Sequence, residues 1–266
     1  MSFRLSRTFF LLSLVGQLLT TMSLSGCSVK ENRNLCPCRL TLHMESSSAN
    51  LGRTVLHFNG SSSHFCDTLE FDSEKNFQWM LTRERMRILA VSPLPDEIQE
   101  DGSLLIEQGR ECPPVYMGSL SFDFLEEQVE DTLCLFKNYC ILAIQFSLPW
   151  GNAFENMDMR IRGQVNGYDA FGKPLEGNYE VRVEPDEYGR CQICVPRQID
   201  ASLSLDVVTG GEIIRSFAIG TYMEEAGYDW GKDDLADCSM KVDISLTSFD
   251  FTISGWKKTV SMKIFV

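Results

Sequence analysis

The sequence predicts an all-β protein, built as sandwiches or barrels. Three observations predict it: apolar residues recur with a period of two in short runs, turn residues break those runs every 8–12 residues or so, and no stretch sustains a 3.6-residue period over a helix length. The runs fall on both sides of one acidic stretch, which predicts two β domains rather than one.

In chain order, Arg39 to Met44 places Leu40, Leu42 and Met44 on one face and Arg39, Thr41 and His43 on the other, a half-buried strand. The loop at 46–50 leads to a short strand, Thr54 to Phe58, closed by Asn59-Gly60 and three serines. Phe65, Asp67, Leu69 and Phe71 share a face in the next run, and Phe77 to Leu81 and Met86 to Val91 follow. Ser92-Pro93-Leu94-Pro95 ends the last of these, because proline cannot donate to a ladder. Leu104 to Glu107 and Val115 to Leu120 complete a first domain over residues 36–128. The seam is placed at the carboxylates Asp123, Glu126, Glu127, Glu130 and Asp131, and a second domain over residues 129–266 begins there.

In the second half, Leu133 to Phe136 leads into the nearly unbroken apolar run Tyr139 to Leu148, read as a strand buried on both faces. Pro149-Trp150-Gly151-Asn152 stops it. Met157, Met159 and Ile161 alternate with Asp158, Arg160 and Arg162; Tyr179, Val181 and Val183 alternate with Glu180, Arg182 and Glu184. Ile193 with Val195, Leu203 to Val207, and Ile213 to Ile219 continue the pattern between glycine turns. Thr221 to Leu235 reads as a short helix or structured loop. Lys241 to Leu246, Phe249 to Ser254 and Val260 to Val266 are the last strands. In the final one Val260, Met262, Ile264 and Val266 share a face. It ends at Val266 without a polar tail, so its backbone N–H and C=O groups suit it either to complete the core or to pair with a partner's sheet.

The first 26 residues read as a signal peptide. Arg4 and Arg7 are its only charges, Thr8 to Leu19 is an apolar run too short to cross a hydrocarbon core, and small residues follow. Leu24-Ser25-Gly26-Cys27 resembles a bacterial lipobox. The resemblance implies cleavage between Gly26 and Cys27, with an acyl chain such as palmitate on the Cys27 thiol. Residues 27–35 would then be a short polar tether.

From Cys27 onward, 240 residues carry 22 cations against 37 anions, a net charge of −15. That balance argues against nucleic acid, whose affinity rests on Lys and Arg meeting phosphate. Nine cysteines remain after Cys27, an odd number, which one chain cannot pair completely. Cys191 and Cys194 would point to opposite faces of a strand, a poor start for a metal site, and buried thiols with a few disulfides is the favoured reading. No Gly-x-Ser-x-Gly, Walker-type or His-Glu-x-x-His motif occurs, so no catalytic residue, metal or cofactor is expected and the chain is read as no enzyme. Asp229, Asp233, Asp234 and Asp237 do not follow calcium-loop spacing. Trp150, Trp230 and Trp256 stand beside glycine or aspartate at strand ends, where they could form a glycan platform or plug the core.

Several segments together resemble the anchoring minor subunits of type V fimbriae in Gram-negative anaerobes. They are the lipobox with Cys36-Pro37-Cys38-Arg39-Leu40, then Gly163 to Asp169 with Gly172 to Gly177. Val195-Pro196-Arg197-Gln198, then Ile219-Gly220 through Tyr228-Asp229-Trp230 to Asp237, and Val242-Asp243-Ile244 leading to Gly255-Trp256-Lys257-Lys258 complete the set. The match spans nearly the whole chain after Cys27, in order. It implies two transthyretin-like or immunoglobulin-like sandwiches and a surface-exposed lipid anchor in the outer membrane at the base of a fimbrium (pilus). The partners implied are stalk or accessory subunits, and the role is to hold the fibre and limit its length, without catalysis. The alternatives are a tip or accessory fimbrial subunit, or a surface lipoprotein for cell adhesion that binds glycan or a host ligand by itself.

Overall fold

The computed structural model describes residues 36–48, 51–124, 126–147, 158–243, 248–254 and 259–265. The leader, Gly26, Cys27, Trp150, Trp256 and Val266 lie outside the described residues.

The chain is all-β, with seventeen strands and one short helix among the described residues. The first sheet has seven strands in the order β3-β2-β5-β7-β8-β1-β4. They are β1 (Cys38–Ser46), β2 (Arg53–Gly60), β3 (His64–Glu70), β4 (Asn76–Leu81), β5 (Arg85–Ser92), β7 (Tyr116–Asp123) and β8 (Gln128–Lys137). This sheet folds over on itself where β7 meets β8. Only Tyr116 with Lys137 and Met117 with Phe136 pair there, after which β7 follows β5 and β8 follows β1. Gly118 is the point of divergence: a Cβ on it would stand 2.0 Å from the carbonyl oxygen of Cys134. The two layers close on a core that includes Leu40, Leu42, Met44, Leu56, Phe58, Met86, Ile88, Leu133 and Leu135.

The second sandwich has two five-stranded sheets, one in the order β11-β10-β13-β14 with β6 also beside β10, the other β12-β9-β15-β16-β17. Its strands are β6 (Leu104–Leu105), β9 (Tyr139–Ser147), β10 (Asp158–Tyr168), β11 (Pro174–Val183), β12 (Arg190–Pro196), β13 (Ser204–Thr209), β14 (Glu212–Phe217), β15 (Asp237–Asp243), β16 (Ser248–Ser254) and β17 (Thr259–Phe265). Helix α1 (Ile219–Glu225) lies between β14 and β15; it overlaps Thr221 to Leu235, read as a helix or loop, and starts two residues earlier, at Ile219, where the alternation reads as the end of a strand. Leu142, Ile144, Phe146, Ile161, Val181, Leu205 and Met240 are among the residues that fill this core. The outer side of β10 and β11 carries the polar half of the alternation as ion pairs: Arg160 with Asp158 (2.6 Å), Arg162 with Glu180 (2.8 Å) and Arg162 with Asp206 (3.0 Å).

The two sandwiches repeat one order of pairing. In the first, β1 pairs antiparallel with β4 and parallel with β8, while β2 pairs with β3 and β5, and β5 with β7. In the second, β9 pairs antiparallel with β12 and parallel with β15, while β10 pairs with β11 and β13, and β13 with β14. The hairpin β16–β17 is added to the second one beyond β15.

Two expectations change. The acidic stretch is not a seam: β8 runs through Glu130 and Asp131 and pairs with β1, so the chain passes to the second sandwich at Asn138, about ten residues later than the expected boundary at 128/129. Those carboxylates lie on exposed positions of a sheet strand, which a strand tolerates when its other face is apolar. Leu104 and Leu105, assigned to the first domain, pair with β10 of the second. The apolar run of β9 is also less enclosed than expected: Cys140, Leu142, Ile144 and Phe146 are buried, while Ile141, Ala143 and Gln145 are half-buried.

Strand β5 is buried on both faces, with Ile88 and Ala90 in the first core and Leu89 and Val91 in the second. Beside it on β2, His57 is 3% exposed, packed under the turn at Gly102. Burial first, then the nearby His64, hold its ring below the ordinary value of 6.5 against the opposing pull of Asp101. The unfolded chain therefore takes up the proton more readily than the folded one. Stability rises with pH and is lost as pH falls below about 6.5. Thermal melts from about pH 7 down to about pH 5 should show a steeper fall in Tm for the wild type than for His57→Phe; parallel curves would exclude this contribution.

Candidate functional site

The two sandwiches meet around Asn138, and the groups that join them come from five separate stretches. The Asn138 N–H donates to the Val115 carbonyl at 3.1 Å and its side chain donates to the Phe136 carbonyl at 3.0 Å. Its own carbonyl accepts the hydroxyl of Tyr168, a residue wholly buried at the end of β10. That hydroxyl in turn accepts the N–H of Arg197 at 3.0 Å.

Arg197 follows β12 and ties the junction together. Its Nε donates to the Asn138 side chain at 2.9 Å. Its two terminal nitrogens donate to the carbonyls of Trp230 (2.6 Å), Lys232 (2.6 Å), Asp233 (2.7 Å) and Lys137 (3.3 Å). A planar fork with five N–H donors can serve several carbonyls at once; no other side chain has that geometry. The loop after α1 is thereby held against the β8–β9 turn.

The four aspartates whose spacing does not follow a calcium loop are placed in this same region. Asp229 accepts the Gly231 N–H at 2.9 Å and Asp234 the Lys137 N–H at 2.8 Å. Asp237 accepts the Ile141 N–H at 2.9 Å and pairs with the Lys137 ammonium at 2.5 Å. These carboxylates satisfy backbone donors where strands end. Trp230 is 5% exposed, edge-on to Tyr228 with ring centroids 4.7 Å apart, so it is a core residue and not part of a glycan platform. Cys191 and Cys194 both lie in β12, at positions of opposite facing.

Beside the junction is a cleft of ≈ 500 Å³. Ser119, Thr132 and Phe136 of the first sandwich and Phe171, Lys173 and Lys232 of the second are among the residues that line it. Phe171 is 44% exposed and carries the Arg87 guanidinium 3.9 Å above its ring. The cleft carries cationic, hydroxyl and aromatic groups, with Cys134 and Asp233 also in its lining. Sequence reasoning missed both cleft and junction: Tyr168, Arg197 and Trp230 stand in segments that carry the resemblance, but these lie far apart in the chain and nothing in them says that they meet.

At the carboxyl end, Val260, Met262 and Ile264 lie in β17. This strand pairs antiparallel with β16 and, among the described residues, with nothing on its other side. The strand named as a partner strand is thus the outermost of its sheet.

No family model and no curated protein sequence matches the chain. Solved structures do. A candidate polysaccharide-binding protein from Bacteroides thetaiotaomicron superposes with a TM-score of 0.63 at 13% identity, covering 85% of this chain and 98% of that one. A candidate adhesin from Bacteroides ovatus gives 0.59 at 12% identity, covering 85% and 95%. The fimbrial anchor protein Mfa2 from Porphyromonas gingivalis gives 0.58 at 10% identity, covering 83% and 98%. At these identities the likeness is one of fold: the chain has the architecture of fimbrial and adhesin proteins of these bacteria.

Proposed function

We propose that the protein is a lipid-anchored outer-membrane subunit that holds a fimbrium to the cell surface and limits its length. The observation that carries this reading is a fold that follows a fimbrial anchor protein along nearly that protein's whole length. The leader ending at Gly26, with Cys27 directly after it, supports it, since an anchor needs a lipid and a thiol to bear it. The chain works by holding and pairing, not by catalysis. Replacing Cys27 by Ala should abolish palmitate labelling and move the protein from the membrane to the soluble fraction. Label retained at the wild-type level would remove the anchor from the reading. Co-purification of fibre subunits with the solubilised wild type tests the fimbrial half.

In this reading β17 offers its open edge to a strand of the fibre, since unpaired N–H and C=O groups at a sheet edge are a template for another strand. A chain lacking Ser261 to Val266 should stay folded and membrane-bound while fibres appear in the medium. Fibres still attached to a folded, truncated protein would show that the strand is not the contact.

A second reading has its own observation, the cleft beside Phe171 and Lys173. There the protein binds a glycan by itself. A hit on a glycan array, lost on Phe171→Ala while fibre attachment is kept, would favour it.

A further inference from the structure

The stretch from Leu104 to Val115 leaves the first sandwich, runs along the second and returns. It is fastened strand by strand: Leu104 and Leu105 pair with β10, and the Ile106 N–H donates to the Asn166 carbonyl at 2.8 Å. The Gly109 N–H donates to the Glu180 carbonyl of β11 at 2.7 Å. The Cys112 N–H donates to the Cys194 carbonyl of β12 at 3.0 Å. One excursion therefore touches both layers of the second sandwich, and a cysteine sits at its last fastening on each side.

The two cysteines are placed for more than a backbone contact. Both are free thiols in the structure, and the Cys112 thiol donates to the Pro113 carbonyl at 3.3 Å beside the Cys194 strand. The Cys112 N–H bonds the Cys194 carbonyl while the Cys194 N–H bonds the Glu111 carboxylate, so the two backbones run side by side, and backbones paired in this way bring facing Cα atoms to about 4.5–5.5 Å, inside the span of a disulfide. Cys112 is 1% exposed, and Cys194 is half-buried with its carbonyl also taking the Tyr179 hydroxyl at 3.1 Å. We propose that Cys112 and Cys194 are joined by a disulfide in the exported protein, which staples the excursion from the first sandwich onto β12 of the second.

Two other pairs of cysteines in this sandwich lack this geometry. In the parallel ladder Cys238 stands opposite Leu142, not Cys140, which leaves Cys140 and Cys238 as diagonal neighbours about 7–8 Å apart, beyond the usual span. Cys191 and Cys194 are three residues apart in one extended strand, about 10 Å.

The oxidant is a protein disulfide, that of a cell-envelope dithiol oxidase. Cys112 is buried and Cys194 is half-buried, so Cys194 is the thiol an oxidase can reach first. Cys194 sulfur attacks one sulfur of the oxidase disulfide, and Cys112 sulfur then displaces the oxidase. One S–S bond forms between Cys112 and Cys194 and one breaks in the oxidase. Two protons and two electrons pass to the oxidase, which leaves as a dithiol.

The cellular form rests on the proposed export, so two arms separate the claims. In the first, purified protein is incubated with oxidised glutathione, denatured, alkylated with N-ethylmaleimide and mapped by mass spectrometry without reduction. A peptide pair linking Cys112 to Cys194, with Cys140 and Cys238 alkylated, is the expected result. Alkylation of both Cys112 and Cys194, or a link from either to another cysteine, overturns the pairing. In the second, the protein is alkylated in intact cells and mapped in the same way. The same linked pair is expected. A pair that forms with glutathione but is absent from cells overturns the exported state and leaves the geometry of the pairing standing.

Discussion

Replacing Arg197 by Ala should lower the stability of the second sandwich by about 3 kcal/mol, the largest loss expected from any single surface-accessible side chain here. The guanidinium donates to four backbone carbonyls and to Asn138. With it gone, the carbonyls of Trp230, Lys232 and Asp233 face one another at the junction without a donor. Unmet acceptors in a part-buried place cost more than the bonds contributed. For a chain of this size the drop corresponds to a Tm lower by roughly 10 °C. Arg197→Lys should recover little, because an ammonium is a point charge that cannot span carbonyls on several sides. Differential scanning calorimetry on both variants checks this; a Lys variant as stable as the wild type would show that charge, not the shape of the fork, is what matters.

A side chain at Gly118 should disrupt the first sandwich. The requirement is steric, for a Cβ there would meet the carbonyl oxygen of Cys134 at 2.0 Å and its carbon at 2.9 Å, both backbone atoms that cannot rotate away. The Ala variant can exist only if β7 and β8 move apart by about 1 Å, which breaks the two pairings at the fold of the sheet and opens the core. A cost of about 3 kcal/mol or more is expected for Gly118→Ala, and failure to fold for Gly118→Val. Ser119→Ala on the same strand should be close to neutral, being an exposed position. Urea unfolding followed by fluorescence gives the comparison; equal midpoints for Gly118→Ala and Ser119→Ala would mean the sheet can fold over without this close approach.

The strands were legible because each side of a sheet leaves its mark on alternate residues. Leu40, Leu42 and Met44 are all buried, as their spacing implies. The order in which strands pair leaves no such mark. The repeat of one pairing order in both sandwiches is invisible in the sequence, because what repeats is connectivity and not residue type. The same reason hid the place of β8: Glu130 and Asp131 look like a solvated linker until β1 is beside them. Arg197 gave no signal of its role either, since its partners are main-chain carbonyls, and any residue can supply a carbonyl. Trp230 is open to two readings, a glycan platform or a plug of the core, and its packing against Tyr228 makes it the second.

The parallel pairs β1–β8 and β9–β15 bear on timing. Arg39 lies beside Gln128 and Leu142 beside Cys238, partners about ninety residues apart, so each sandwich is closed by a contact between its earliest strand and a late one. A chain threaded through a narrow channel amino end first cannot seal either core until nearly all of that sandwich has emerged. The first can then seal while the second is still passing. Such a sequence is slow to collapse by design of its connectivity, and it stays pliable for as long as transit lasts.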